Sequence, residues 1–203
     1  KSQRNTVIDQ LPIAVLAIGL GDGIKELFLG SGASKFLSGG DSMNPSTKDI
    51  LLAIEETPSN KVILLPNNPN IVLAAKQASK LSNKSVEIID TNSIPQGLAA
   101  ILAFNSEDSL ENNLTQMRNA FNSIRSGEIT RAVRSVKMED ISIKVGQVIG
   151  LLEKKLLVVG DNPDKVLLEL LGVCDLSEAD LITIILGQKS DDKKSKELIR
   201  LIN

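Results

Sequence analysis

Three short stretches carry the residues whose types and spacing could do chemistry: "SGGDSMNPST", "LPNNPN" and "DTNSIPQG". Each is rich in Asn, Ser, Thr, Pro and Gly, each follows a short apolar run, and each leads into a segment of helical spacing. In the second, Asn68 is placed to cap a helix with Pro69 at its first position. In the third, Ser93 and Pro95 can do much the same, and in the first Ser46 and Asp49 have the spacing of a capping box. Three helix N-termini aimed at one crevice would offer free backbone N–H groups and partial positive charge, which favours a carboxylate or a phosphate. Well-capped loops with no ligand use the same residues. Gly39 and Gly40, which let the chain turn tightly, and Met43, an adaptable apolar contact, are not needed for capping and tilt the reading toward recognition.

The rest of the inventory is poor in reactive groups. The 203 residues include no histidine, which removes every mechanism that needs an imidazole base or ligand. One cysteine, Cys174, allows no disulfide framework and no zinc cluster, and its place in "LELLGVC" reads as a buried structural thiol. "GLGDG" at 19–23 follows an apolar run, but the spacing is not that of a dinucleotide loop and a tight turn fits better. A phosphate-cradling G-x-x-x-x-G-K-[ST] stretch is missing from the sequence. Glu55, Glu56, Asp191 and Asp192 read as solvated helix faces or caps. Arg131 and Arg134 in "TRAVRS" fall on opposite faces of a strand and form no joint anion clamp without a bulge; Arg131 alone joins the candidate binding residues.

Composition agrees with an ordinary globular chain: 42% hydrophobic, 24% charged, net charge −2. A basic footprint for nucleic acid is lacking, aromatics at 2% leave no stacking platform, and no apolar run reaches membrane-spanning length. A cytoplasmic setting fits. The opening at Lys1 reads as that of an excised fragment.

These residues must be positioned by a regular alternation of elements. "PIAVLAI" (12–18), "KFLSGG", "KVILLP" (61–66) and "SVEIID" (85–90) read as strands. "IKELF", Thr47–Glu56, Asn68–Leu81, Pro95–Phe104 and Leu110–Ile124 read as helices. Strands alternating with helices predict a mainly parallel sheet with helices on both faces, all strand-to-helix loops lying on one edge. Near Gly127 the pattern changes to a β-rich antiparallel excursion over about 127–160. There "EITRAVRSVKM" alternates like one strand, and two more flank "GLLEKK". "NPDKVLLELLG" returns to helix with Asp161 or Asn162 as cap, "LITIILG" predicts another buried strand, and "SDDKKSKELIRLI" a final helix. The whole is read as one α/β domain over 1–203.

"GDGIKELF", "GGDSMNPSTKDILLAIE", "VILLPNNPNIVLAAKQAS", "IIDTNSIPQGLAAILAF", "GEITRAVRSV" and "LITIILG" together resemble the C-terminal region of the bacterial dihydroxyacetone-kinase-like family, which includes the ATP-binding subunit of fatty acid kinase. The resemblance covers nearly the whole chain. It implies a DegV-like fold and a phosphoryl-transfer site, with ATP and Mg, in an N-terminal kinase domain that this chain lacks. It implies no cofactor for this fragment and no catalysis by it alone, only docking or regulation. The implied partners are the acyl-carrying DegV-type fatty-acid-binding protein and the chain's own kinase domain. The strand-end loops then correspond to loops that hold a fatty-acid carboxylate in DegV-type proteins. On that ground Asn44, Ser46, Asn67, Asn68, Ser93 and Gln96 are carried over as a pseudo-site or docking surface. The alternative is a small-ligand binder that holds a fatty-acid carboxylate or acyl phosphate at the helix N-termini. The sequence departs from the family by ending before a closing strand with a Gly-Gly-Gln-Pro-like segment, and by "IILG" where relatives often carry tyrosines.

Overall fold

The computed structural model describes residues 11–40, 44–138, 141–177, 179–187 and 196, and its contacts fall into two compact units, Lys1–Ile124 and Arg125–Asn203. The first unit is built from β1 (Ala14–Gly19), α1 (Asp22–Gly30), β2 (Lys35–Ser38), α2 (Thr47–Glu55), β3 (Lys61–Leu65), α3 (Pro69–Leu81), β4 (Ser85–Ile88), α4 (Ile94–Leu102) and α5 (Leu110–Asn122). The alternation read from the sequence is therefore the alternation found, with ends moved by a residue or two.

The four strands form one parallel sheet in the order β2-β1-β3-β4, with Leu16 opposite Lys35 and Leu64, and Ile63 opposite Glu87. A central strand of such a sheet is covered on both faces, which is why "AVLAI" is apolar throughout instead of alternating with polar residues. Its side chains nevertheless divide by parity. Val15 and Ala17 join Phe28, Ile63, Ile101 and Met117 in one core layer, while Leu16 and Ile18 join Ile50, Ile54, Leu64 and Ile71 in the other. Buried Ala53, Ala75 and Ala78 contribute the small side chains of the layer shared by α2 and α3. At the edge of the sheet where β3 and β4 begin, the Lys84 ammonium donates to the carbonyl oxygens of Glu55 and Thr57 at 2.8 and 2.7 Å, closing the C-terminus of α2 with a cation. The Ser82 hydroxyl donates to Glu55 at 2.6 Å and is the main cause holding that carboxyl below its usual range.

The second unit holds β5 (Gly127–Arg131), β6 (Val136–Met138), β7 (Ile141–Ile143), β8 (Val148–Leu152), β9 (Lys155–Gly160) and α6 (Pro163–Val173). β5, β8 and β9 form an antiparallel sheet in that order, and β6 pairs with β7. The antiparallel excursion is as expected, but "EITRAVRSVKM" is two strands of two different sheets and not one. The break falls at Ala132, whose N–H donates to Gln147 O at 2.8 Å and whose carbonyl accepts from Gly146 N at 2.8 Å, so the chain is pulled out of the ladder just after Arg131. The β8–β9 turn is narrower than "GLLEKK": Glu153 and Lys154 alone form it, both with positive φ (48° and 65°), as a two-residue hairpin turn requires. α6 starts on Asn162, whose side-chain oxygen accepts from Asp164 N and Lys165 N, with Pro163 at the first position. It buries Val166 and Leu170 against Val148 and Val158.

Two expectations fail in the second unit. "LITIILG" is not a buried strand: residues 181–187 lie outside regular structure, with Leu181 81% exposed and Ile182, Ile184, Ile185 and Leu186 all exposed. Apolar β-branched residues make a strand only where a sheet edge takes up their backbone, and no ladder among the described residues includes this run. Cys174 is half-buried and not buried, because it stands at the C-cap of α6 beyond the last core contact, Leu170. The final helix read from the sequence lies outside the described residues except for Lys196.

Candidate functional site

All four parallel strands deliver their C-terminal ends, and the loops that follow, to one edge of the first unit. From β1 the chain goes to β2 on one side and then to β3 on the other, so the point where the connection reverses lies between the ends of β1 and β3. Ligands of open α/β sheets bind at such a point.

Three helices start at this edge on caps of the expected kind. Ser46 caps α2: its hydroxyl oxygen accepts from Asp49 N at 3.2 Å, while Asp49 accepts from Ser46 N at 3.0 Å and from the Ser46 hydroxyl at 2.6 Å. That hydroxyl, then the Ser46 backbone N–H, holds the Asp49 carboxyl below its usual range. Asn68 caps α3 by accepting from Asn70 N at 3.0 Å, and Ser93 caps α4 by accepting from Gln96 N at 3.4 Å. Asn44 is exposed beside a buried Pro45, and Gly40 takes a left-handed φ of 64°, as its place in a tight turn implies. Met43 lies outside the described residues.

Asn67 is placed differently. It is buried, with φ 58°, a left-handed conformation that asparagine accepts more readily than most residues. Its side-chain amide donates to Ile18 O at the end of β1 (2.9 Å), and its Oδ1 accepts from the Thr91 hydroxyl (2.8 Å). Its own backbone N–H donates to that same Thr91 oxygen at 3.1 Å. One side chain thus ties the ends of β1, β3 and β4 together across the reversal point. Gly97 makes room for it: a Cβ there would stand 1.9 Å from Asn67 Oδ1. Gln96, also buried, turns its Oε1 to accept from Asn92 N at 2.8 Å and so braces the loop that holds Thr91. Among the described residues no buried side-chain nitrogen or oxygen lacks a partner.

The structure therefore brings Asn44, Ser46, Asn67, Asn68, Ser93 and Gln96 to one sheet edge, and divides them by job. Ser46, Asn68 and Ser93 are caps, Asn67 and Gln96 are buried ties, and Asn44 faces solvent. Arg131 belongs to the other unit, where its guanidinium donates to Gly146 O at 3.0 Å; Arg134 is exposed in the turn after β5. Two residues of the site were not singled out from the sequence. Thr91, fully buried, is hidden among ordinary loop hydroxyls, and Gly97 sits in a helix where glycine is a poor choice. That misfit was the available signal. The groups at this edge are neutral donors and acceptors, suited to hydrogen bonding and to anion attraction, not to proton transfer. Among the described residues no three His, Cys, Asp or Glu side chains gather as a metal would need, and no helix is long and apolar enough to cross a membrane.

Residues 14–203 match the family model for the FakA-like C-terminal domain of fatty acid kinase. An uncharacterised protein of Staphylococcus haemolyticus is 39% identical over 93% of this chain and 34% of its own length. Uncharacterised proteins of Staphylococcus epidermidis (38% identity, 92% of this chain, 34% of the relative) and Staphylococcus aureus USA300 (34%, 96% and 36%) are similar in the same way. The chain spans about a third of the length of the curated relatives it matches.

Proposed function

The chain belongs to the family of FakA-like C-terminal domains of fatty acid kinase, and on that premise we propose that it is the non-catalytic docking and regulatory part of a cytoplasmic fatty-acid-kinase-type protein. In this reading phosphoryl transfer, with its ATP and Mg, belongs to a kinase domain elsewhere in the parent protein. The present chain engages the acyl-carrying, DegV-type fatty-acid-binding partner through the strand-end edge of its first unit.

One observation carries docking over ligand capture. The place where an open α/β sheet takes a ligand is occupied by the Asn67 side chain, whose donor and acceptor are both used within the protein. The groups left facing outward are those of a surface: exposed Asn44, the capped start of α2 and half-buried Asn68 and Ser93. A polar surface of this kind specifies a partner by hydrogen bonds and complementarity of charge more than by burial of area.

Calorimetric titration of the 203-residue chain with the acyl-loaded partner, beside titration with a free long-chain fatty acid, tests the proposal. Binding of the carrier with a Kd on the order of 1 µM and no heat from the free lipid is the expected result. Asn44→Arg, a bulky cation on an exposed position, should weaken the carrier by about tenfold with an unchanged Tm, since one misplaced rim charge has an effect of that order. Binding of free lipid without the carrier would overturn the reading.

A further inference from the structure

We infer that Asn67 is a ligand the chain supplies to itself: its carboxamide fills the crevice between the ends of β1 and β3, and the fixed groups around it select a neutral donor–acceptor head group over a carboxylate.

The chemistry follows from what surrounds the side chain. Ile18 O can only accept, and it takes the amide proton of Asn67 at 2.9 Å. The Thr91 hydroxyl already accepts from Asn67 N at 3.1 Å, so its own proton is free to point at Oδ1, which it does at 2.8 Å. One wall of the crevice therefore demands a donor and the other an acceptor. A primary amide answers both. A carboxylate answers only the second and sets its other oxygen against the Ile18 carbonyl, where two acceptors meet with no proton between them. The fit is steric as well: Gly97 leaves the carboxamide the space that any other residue would fill, since a Cβ there would be 1.9, 2.6 and 2.9 Å from Oδ1, Cγ and Nδ2 of Asn67. The backbone accepts a left-handed φ of 58° at Asn67 to aim the side chain inward. A fatty-acid head group is thus shut out of this crevice both by occupancy and by polarity. The inference concerns the interior of the edge and stands whether or not the outer surface docks a carrier.

The test is a double-mutant cycle with chemical rescue on the 203-residue chain. Asn67→Gly keeps the left-handed backbone accessible and removes a group of the size and chemistry of acetamide. Its Tm is expected to fall by about 5 °C, the loss of two buried hydrogen bonds in a chain of this size. Acetamide at about 100 mM should then raise the variant's Tm by about 2 °C beyond its effect on the wild type, as a weak ligand of the folded state does, and equimolar acetate should not. Gly97→Ala should lower the Tm in the wild type and leave it unchanged or higher in the Asn67→Gly background, because the methyl group enters space that has been vacated. If Asn67→Gly fails to fold, Gly97→Ala alone decides: faster hydrogen exchange at the Asn67 amide supports expulsion of the carboxamide, and unchanged exchange overturns it. An equal cost of Gly97→Ala in both backgrounds, or rescue by acetate as good as by acetamide, would also overturn the inference.

Discussion

Thr91 shows how much of the site hangs on one atom. Its Oγ accepts from the backbone of Asn67 and donates to the side chain of the same residue, and it is fully buried. Thr91→Val keeps the shape and removes the hydroxyl. The Asn67 N–H is then left buried without an acceptor, and Oδ1 loses its donor. Stranding a buried donor costs about 1–3 kcal/mol, more than the net worth of a typical hydrogen bond, because desolvation is not returned. Chemical denaturation should therefore show Thr91→Val destabilised by that amount with an unchanged m-value, which reports lost stability and not a changed denatured state. A change below about 0.5 kcal/mol, the range of substitutions that touch nothing, would mean that this hydroxyl does not hold the loops.

At the scale of the element, the helix starts were the most legible part of the sequence, because a cap is decided within four residues. Ser46 with Asp49, Asn68 with Pro69, and Asn162 with Pro163 all stand where local rules put them. The strands were legible for a similar reason, since short apolar runs between turn residues have few other places to go. What stayed hidden depends on distance along the chain. The bond from Asn67 to Ile18 spans 49 residues and that to Thr91 spans 24, so nothing in "LPNNPN" distinguishes the buried first asparagine from the capping second. "LITIILG" misled because its apolar pattern states a preference while the pairing edge decides the outcome. The capping box of α2 also makes a pH prediction. The Ser46 hydroxyl holds the Asp49 carboxyl below its usual range, so the folded state binds that proton less readily than the unfolded chain. The stability from this pairing is complete above about pH 4, the ordinary value of the carboxyl, and is lost as the pH falls through the lower folded value. Ser46→Ala should lower the Tm at pH 7, and the gap from wild type should narrow below about pH 4. It should not close, because the cap bond from Asp49 N to the Ser46 hydroxyl does not titrate. A pH-independent gap would show that the carboxylate contributes nothing through this contact.

At the scale of the whole molecule, the two compact units carry separate cores. The first has apolar layers on both faces of its parallel sheet, and the second has one small cluster around Val148, Val158, Val166 and Leu170. A difference in core size of this kind makes the second unit the less stable, because its ordered residues bury less apolar surface to offset their lost conformational freedom. Leu170 is the side chain on which that small core turns. It is buried on α6, and its Cδ2 would lie 3.4 and 3.6 Å from a Cβ at Gly127 and Gly150, so it spans β5 and β8 from above. Leu170→Ala removes this bridge and should cost the second unit about 2–5 kcal/mol, the range for a buried leucine whose surroundings cannot collapse onto the vacancy. Hydrogen exchange resolves where that cost is felt. The amides of β8 and β9 should lose protection by two to three orders of magnitude, about tenfold for each 1.4 kcal/mol. Those of β1 and β3, whose apolar layers contain no residue of the second unit, should exchange as in the wild type. Equal loss of protection in both sets would mean that the units unfold as one, and the strand-end edge of the first would then share the fate of the α6 core.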